Sequence, residues 1–253
     1  MLLVNTAADW RKFRASSRAA GRSIGLVPTM GALHAGHMSL VEAARRDSDV
    51  VLVSIFVNPT QFDEAHDYEK YPRPLDKDQG MLEAAGVDVV LVPTVAEMYP
   101  DGMHYIVQED ALSRELCGAH RPGHFDGVLT VVMKLLQMAG ADRAYFGEKD
   151  FQQLQLIRGL TAAFFIETEI VGCPTVREPD GLAMSSRNAR LTPSERERAT
   201  QFPAILKSAT STEAAQQQLL ACGFEVDYIE DREGRRLGAV RLGSTRLIDN
   251  VTT

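Results

Sequence analysis

Apolar positions along the chain follow two alternating rhythms. Short runs rich in Val, Ile and Leu fall at residues 24–27, 50–57 and 87–92, with further strand-like stretches at 143–146 and 167–171, and largely apolar runs of this length read as strands buried on both faces. Between them stand segments of helical spacing at 38–46, 74–85, 128–138 and 151–164, the first carrying Leu40, Val41 and Ala44 on one face. The punctuation agrees: Asn58-Pro59 closes the second run, Gly86 sits just past a helix end, and Pro93 follows the third run. Strand, helix, strand in repeated order predicts an α/β fold, an open doubly wound parallel sheet with right-handed crossovers.

Past Val176 the rhythm changes. Residues 177–190 are polar and contain Gly181, and Thr192-Pro193-Ser194-Glu195 is a capping box with Pro at the first helical position. A second helix is expected at 213–222 with a stop at Gly223, then a strand at 225–229 and a turn at 232–234. Residues 208–218 are compositionally plain and are expected to be mobile. The organisation predicted is a first domain over 1–176 and a small α+β domain over 177–253, which would act as a lid.

With 253 residues and 45% apolar content, folding should bury roughly 70–75% of the surface of the unfolded chain, so the core needs no metal or disulfide. Cys117, Cys173 and Cys222 are odd in number and form no CxxC pair, which points to a reducing compartment and a cytoplasmic protein. Twenty-seven basic against 34 acidic side chains give a net charge of −7, and no stretch concentrates Lys and Arg as a nucleic-acid partner would require. The apolar start Met1-Leu2-Leu3-Val4 soon meets Asp9 and Arg11, too short for a secretory signal, and no run approaches the ~20 residues of a membrane span.

Candidate chemistry collects where expected strands run into helices. Pro28-Thr29-Met30-Gly31-Ala32-Leu33-His34-Ala35-Gly36-His37 combines glycines that let backbone approach a phosphate, free N–H groups at a helix start, and two imidazoles three residues apart. It is neither a Walker A loop nor GxGxxG. Gly147-Glu148-Lys149-Asp150-Phe151-Gln152-Gln153 lies at another strand end, where Lys149 can neutralise phosphate oxygens and Asp150 can hold a ribose or a metal-bound water. Met184-Ser185-Ser186-Arg187 offers hydroxyls and a guanidinium on what reads as a flexible loop able to close over a nucleotide. Asn58-Pro59-Thr60-Gln61-Phe62 presents amides after the second strand, and His120-Arg121-Pro122-Gly123-His124-Phe125 fits a loop role as well as a site role.

Taken in order, and with Asp180-Gly181-Leu182-Ala183-Met184-Ser185-Ser186-Arg187-Asn188 and Arg246-Leu247-Ile248-Asp249-Asn250 added, these motifs resemble those of the pantothenate synthetase (pantoate:beta-alanine ligase) family. That family belongs to the nucleotidyltransferase branch of Rossmann-like folds. The resemblance implies ATP-dependent condensation of pantoate and beta-alanine through a pantoyl adenylate, by a cytoplasmic homodimer using Mg2+. It further implies that His37, His34 and Lys149 are catalytic, with His37 a proton donor. ATP would be held by Met30, Gly31, Ala32, Leu33, His34, Ala35, Gly36, His37, Gly147, Glu148, Lys149, Asp150, Val176, Met184, Ser185, Ser186 and Arg187. Gln61 and Gln153 would bind pantoate, Gln61 also lying near beta-alanine; no metal ligand is assigned. Two departures stand out: Thr60 replaces a frequent Met, and the stretch from Arg198 to Phe224 is expected to be shorter than in the family. Another adenylyltransferase of this superfold, or a noncatalytic nucleotide-binding protein, remains an alternative on the residues alone.

Overall fold

The computed structural model describes residues 1–63 and 65–253, leaving out Glu64 and the side chains of Ala65 and His66. By packing, the chain divides into two units. The first comprises Met1–Leu33, His37–Gly147 and Gln152–Cys173; the second comprises His34–Gly36, Glu148–Phe151 and Pro174–Thr253.

The strands of the first unit are β1 (Leu2–Val4), β2 (Ile24–Thr29), β3 (Val50–Ile55), β4 (Val89–Leu91), β5 (Arg143–Gly147) and β6 (Glu169–Cys173). They form one parallel sheet in the order β1-β4-β3-β2-β5-β6. Its helices are α1 (Ala7–Ala19), α2 (Ala35–Asp47), α3 (Ala65–Lys70), α4 (Leu75–Ala84), α5 (Val95–Met98), α6 (Cys117–His120), α7 (His124–Ala139) and α8 (Phe151–Ala163), of which α2 and α8 begin on residues that pack with the second unit. Every residue of β3 is buried, in keeping with an apolar run broken only by Ser54. The chain leaves β2 toward β3 on one side and reaches β5 on the other, so the strand order reverses between β2 and β5. In doubly wound sheets ligands bind outside the carboxyl ends of the strands at such a reversal. Gly86, at φ +71°, ends α4 as expected. The pattern did not announce β1, only three residues long, or α1, whose fully buried Trp10 donates from Nε1 to the carbonyls of Met138 and Ala139 at 3.0 and 3.2 Å.

The second unit holds α9 (Pro193–Ala199), α10 (Gln201–Ser208), α11 (Thr212–Ala221) and an antiparallel sheet of β7 (Glu225–Arg232), β8 (Arg235–Leu242) and β9 (Thr245–Thr252) in that order. Thr192 and Glu195 form the capping box reciprocally. The β7–β8 turn places Glu233 and Gly234 at φ +50° and +70°, the left-handed pair that matches strand twist in a two-residue hairpin. Phe202, Leu206, Ala215, Leu219 and Val240 are fully buried in its core. The expectation of a mobile 208–218 segment is corrected: Ser211 caps α11 through the Ala214 N–H, and Ala215 and Leu219 anchor the helix in the core. A plain composition concealed two core positions four residues apart.

Candidate active site

The loop leaving β2 is shaped from beneath. Asp78 of α4 is 1% exposed, and its carboxylate accepts the N–H groups of Ala32 and Leu33, both at 2.8 Å. The Thr29 hydroxyl donates to the Ser54 carbonyl at 2.8 Å and accepts the Gly31 N–H at 3.1 Å. Gly31 stands at φ +79°, where a Cβ would come within 3.0 Å of both Asp78 Oδ2 and Ile55 Cγ2, and Ala32 follows at φ +52°. The N–H groups of Gly31, Ala32 and Leu33 are thus bonded within the protein, ahead of the helix start at Ala35 where free donors are expected.

After β3, Asn58 organises a polar cluster while only 1% exposed. Its Oδ1 accepts from the Tyr99 hydroxyl at 2.7 Å and the Thr60 hydroxyl at 3.0 Å, and its Nδ2 donates to the Gly127 carbonyl at 3.2 Å. Because that carbonyl can only accept, the amide orientation is settled, and Nδ2 also donates to Gln61 Oε1 at 3.1 Å. Gln61 is thereby turned to present its Nε2, which also contacts Met30 Sδ at 3.1 Å. The Gln61 carbonyl receives His124 Nδ1 at 2.8 Å and Arg121 Nη2 at 3.3 Å, while Arg121 pairs with Asp63 at 2.7 Å. The Arg121–His124 motif is thus a support for Gln61. Two adjacent glutamines on α8 divide in role. Gln152 is buried and satisfied by the Cys117 N–H and the carbonyls of Leu112 and Glu115; Gln153, half-buried, has no side-chain bond to another described residue.

In the second unit, the Gly36 N–H donates to His34 Nδ1 at 3.1 Å. Burial, followed by the charge of Lys149, lowers the His34 pKa, with Asp150 and Glu178 acting against them. His34 is accordingly neutral at neutral pH, with Nδ1 as acceptor and its proton on Nε2. A Cβ on Gly36 would reach within 2.9 Å of that ring, which explains a glycine between the two histidines. His37 lies half-buried in the first turn of α2 and packs with the first unit. Lys149 is largely covered, with Asp150 Oδ2 at 4.0 Å. Its turn is fastened by β9: Asn250 Nδ2 donates to the carbonyls of Glu148 and Lys149 at 2.8 and 3.1 Å. The neighbouring Asp249 pairs in bidentate fashion with Arg177 at 2.7 and 2.9 Å, and Arg177 also donates to the Gly181 carbonyl at 3.0 Å. Alternate strand positions point to opposite faces, so one Asp-Asn pair serves two segments. The segment that leads into Met184-Ser185-Ser186-Arg187 is a bonded hairpin: Met184 N–H to the Val176 carbonyl at 3.0 Å, a bridge between Arg177 and Ala183, and Gly181 at φ +90° at its tip. Ser185 then caps a short 3-10 turn, Ser186–Arg190, through the Arg187 N–H.

A family model described as pantoate-beta-alanine ligase matches residues 2–252. The chain belongs to that family. A pantothenate synthetase of Bdellovibrio bacteriovorus is 55% identical over 241 residues, 95% of this chain and 96% of the relative. One from Legionella pneumophila is 48% identical over 250 residues, 99% of each. A solved pantoate-beta-alanine ligase from Francisella tularensis, described as complexed with beta-gamma ATP and beta-alanine, superposes with a TM-score of 0.94 at 42% identity, covering 100% of this chain and 97% of that one.

The alignment covers 99% of the Legionella relative. Thr60, one of the two departures, is tied to Asn58 and Tyr99, so its hydroxyl has joined the cluster that aims Gln61. Asp78, Asn58, Asn250 and Asp249 are the residues whose work sequence reasoning missed. Asn58 and the Asp249-Asn250 pair stood inside quoted motifs, but Asp78 carried no local signal.

Proposed function

We propose that this chain joins pantoate to beta-alanine in two steps at the carboxyl ends of β2 and β5. A pantoate carboxylate oxygen attacks the α-phosphorus of ATP, pyrophosphate leaves, and the amine of beta-alanine then attacks the acyl carbon and displaces AMP. Adenylation is needed because a free carboxylate is a poor acyl donor, and the mixed anhydride must be kept from water. The observation that carries this reading is that the two histidines and Lys149 stand on the segments that follow the two strands flanking the sheet's reversal, in a chain whose residues 2–252 match the ligase family model.

Met30, Gly31, Ala32 and Leu33 line the nucleotide with side-chain and carbonyl surface, their loop held in shape by Asp78. His34, Ala35, Gly36 and His37 meet the phosphates, the neutral His34 donating from Nε2 and His37 supplying a proton. Gly147, Glu148, Lys149 and Asp150 contact the nucleotide, and the Lys149 ammonium offsets charge that builds on the leaving pyrophosphate. Val176, Met184, Ser185, Ser186 and Arg187 complete the ATP site from the bonded hairpin, within residues 177–253 acting as a lid domain. Gln61 and Gln153 hold pantoate, the Nε2 donor of Gln61 suiting a carboxylate or hydroxyl. Mg2+ would enter on the triphosphate and keep most of its waters, one of which Asp150 would hold. When bound, that ion would neutralise phosphate charge. The working form is a cytoplasmic homodimer; exposed Tyr105 and Ile106, at 77% and 67%, offer apolar surface for a second copy.

The test is exchange of labelled pyrophosphate into ATP, which should require pantoate and not beta-alanine, together with AMP formation when each substrate is omitted in turn. His37→Ala and Lys149→Ala should each slow exchange by roughly 10²–10³. Exchange that depends on beta-alanine overturns the order of steps, and absence of AMP formation with all three substrates would mark a noncatalytic nucleotide-binding protein.

A further inference from the structure

Asn250 is a buried polar residue, 3% exposed, whose side chain serves the turn carrying Lys149. Its two Nδ2 protons go to two successive carbonyls, those of Glu148 and Lys149. Its Oδ1 accepts from Arg235 Nη1 at 2.8 Å. Carbonyls only accept and a guanidinium only donates, so the amide has one possible orientation and only Asn has the length and donor pair to satisfy it. Arg235 of β8 tightens the grip from behind: its Nη2 meets Glu148 Oε2 at 2.7 Å and its guanidinium lies 5.0 Å from the centre of the Phe151 ring. The backbone of the turn is thus clamped at 148 and 149 and flanked at 151, while these bonds leave the Lys149 ammonium to the ligand.

We infer that Asn250 is a positioning residue for adenylation, acting by fixing the backbone from which Lys149 reaches the phosphates of ATP. The inference rests on the proposed role of Lys149. A charge that must meet oxygens developing in a transition state loses much of its effect when displaced by about 1 Å, and a turn whose two carbonyls have lost their donors is free to shift by that much.

The experiment is a double-mutant cycle on pantoate-dependent pyrophosphate exchange in the full chain, using Asn250→Leu, Lys149→Met and the double variant, with kcat and the KM for each substrate measured separately. Asn250→Leu should lower kcat roughly ten- to a hundredfold, since two buried acceptors lose their partner, with the pantoate KM unchanged. In the Lys149→Met background the same substitution should change exchange less than about twofold, because the group it positions is already gone. Full multiplication of the two losses overturns the inference and leaves Asn250 a support of the fold. Near-normal exchange in Lys149→Met overturns the role of Lys149 itself and the inference with it. If Asn250→Leu does not fold, Arg235→Met, which removes the orienting donor, enters the same cycle and is judged by the same outcomes.

Discussion

Asp78→Asn isolates what a buried carboxylate does for the loop after β2. The carboxylate accepts two backbone N–H groups at 2.8 Å each; an isosteric amide can accept only one and turns an NH2 against the other. Loss of a bond to a charged acceptor costs about 1.5–3 kcal/mol, and the stranded N–H about 1–3 kcal/mol more. Part of this is offset, because Ala32 at φ +52° would be released from a left-handed conformation that costs about 1–2 kcal/mol. The net loss is then about 2–4 kcal/mol, or a fall of roughly 5–15 °C in melting temperature for a chain of this size. The same relaxation carries Met30 to Leu33 away from the nucleotide, so the KM for ATP in pyrophosphate exchange should rise about tenfold, equivalent to ~1.4 kcal/mol, while that for pantoate stays within about twofold. Thermal melts and exchange kinetics on one preparation check both. A melting temperature within about 2 °C of the parent, with ATP saturation unchanged, would refute the argument that Asp78 holds this loop.

Gly127→Ala should raise the pantoate KM at least tenfold and destabilise by about 1–3 kcal/mol, because a Cβ there overlaps the Thr60 carbonyl and comes to 2.7 Å from the Gln61 nitrogen; unaltered pantoate saturation contradicts it. Gln61→Leu and Gln153→Leu should each raise the pantoate KM by about tenfold or more, at about 1–3 kcal/mol per unpaired partner, with ATP binding nearly unchanged; weakened ATP binding with intact pantoate saturation would assign both to the nucleotide. The His34 imidazole should titrate below its ordinary 6.5, since burial and then Lys149 disfavour its charged form. Folding is therefore penalised as pH falls below 6.5, where the unfolded chain takes up the proton first, and exchange should decline as pH drops through the lowered midpoint. An NMR midpoint at or above 6.5 is the contrary result.

The sheet was readable because strands buried on both faces leave largely apolar runs, as in residues 50–55. β8 and β9 were not, since a three-stranded sheet with one face on helices mixes Arg236, Arg241 and Arg246 with apolar residues and keeps no simple period. At the site, His34, His37 and Lys149 stood out because their glycine-flanked turns are local in sequence. Asp78 works on Ala32 across 46 residues, Asn58 on Gly127 across 69, and Asn250 on Lys149 across 101. No window used to judge periodicity spans such distances, so the residues that hold these turns were hidden while the histidines and the lysine were visible.

The clasp on the Lys149 turn also has a place in time. A ribosome adding 5–20 residues per second needs roughly 5–20 s to pass from Lys149 to Asn250, which lie 101 residues apart. Once β6 has been made the nascent chain carries every strand of the parallel sheet and both histidines, but the carbonyls of Glu148 and Lys149 still lack the amide that fastens them. The Lys149 turn is completed among the last acts of synthesis, so a chain interrupted before β9 would carry that turn unfastened.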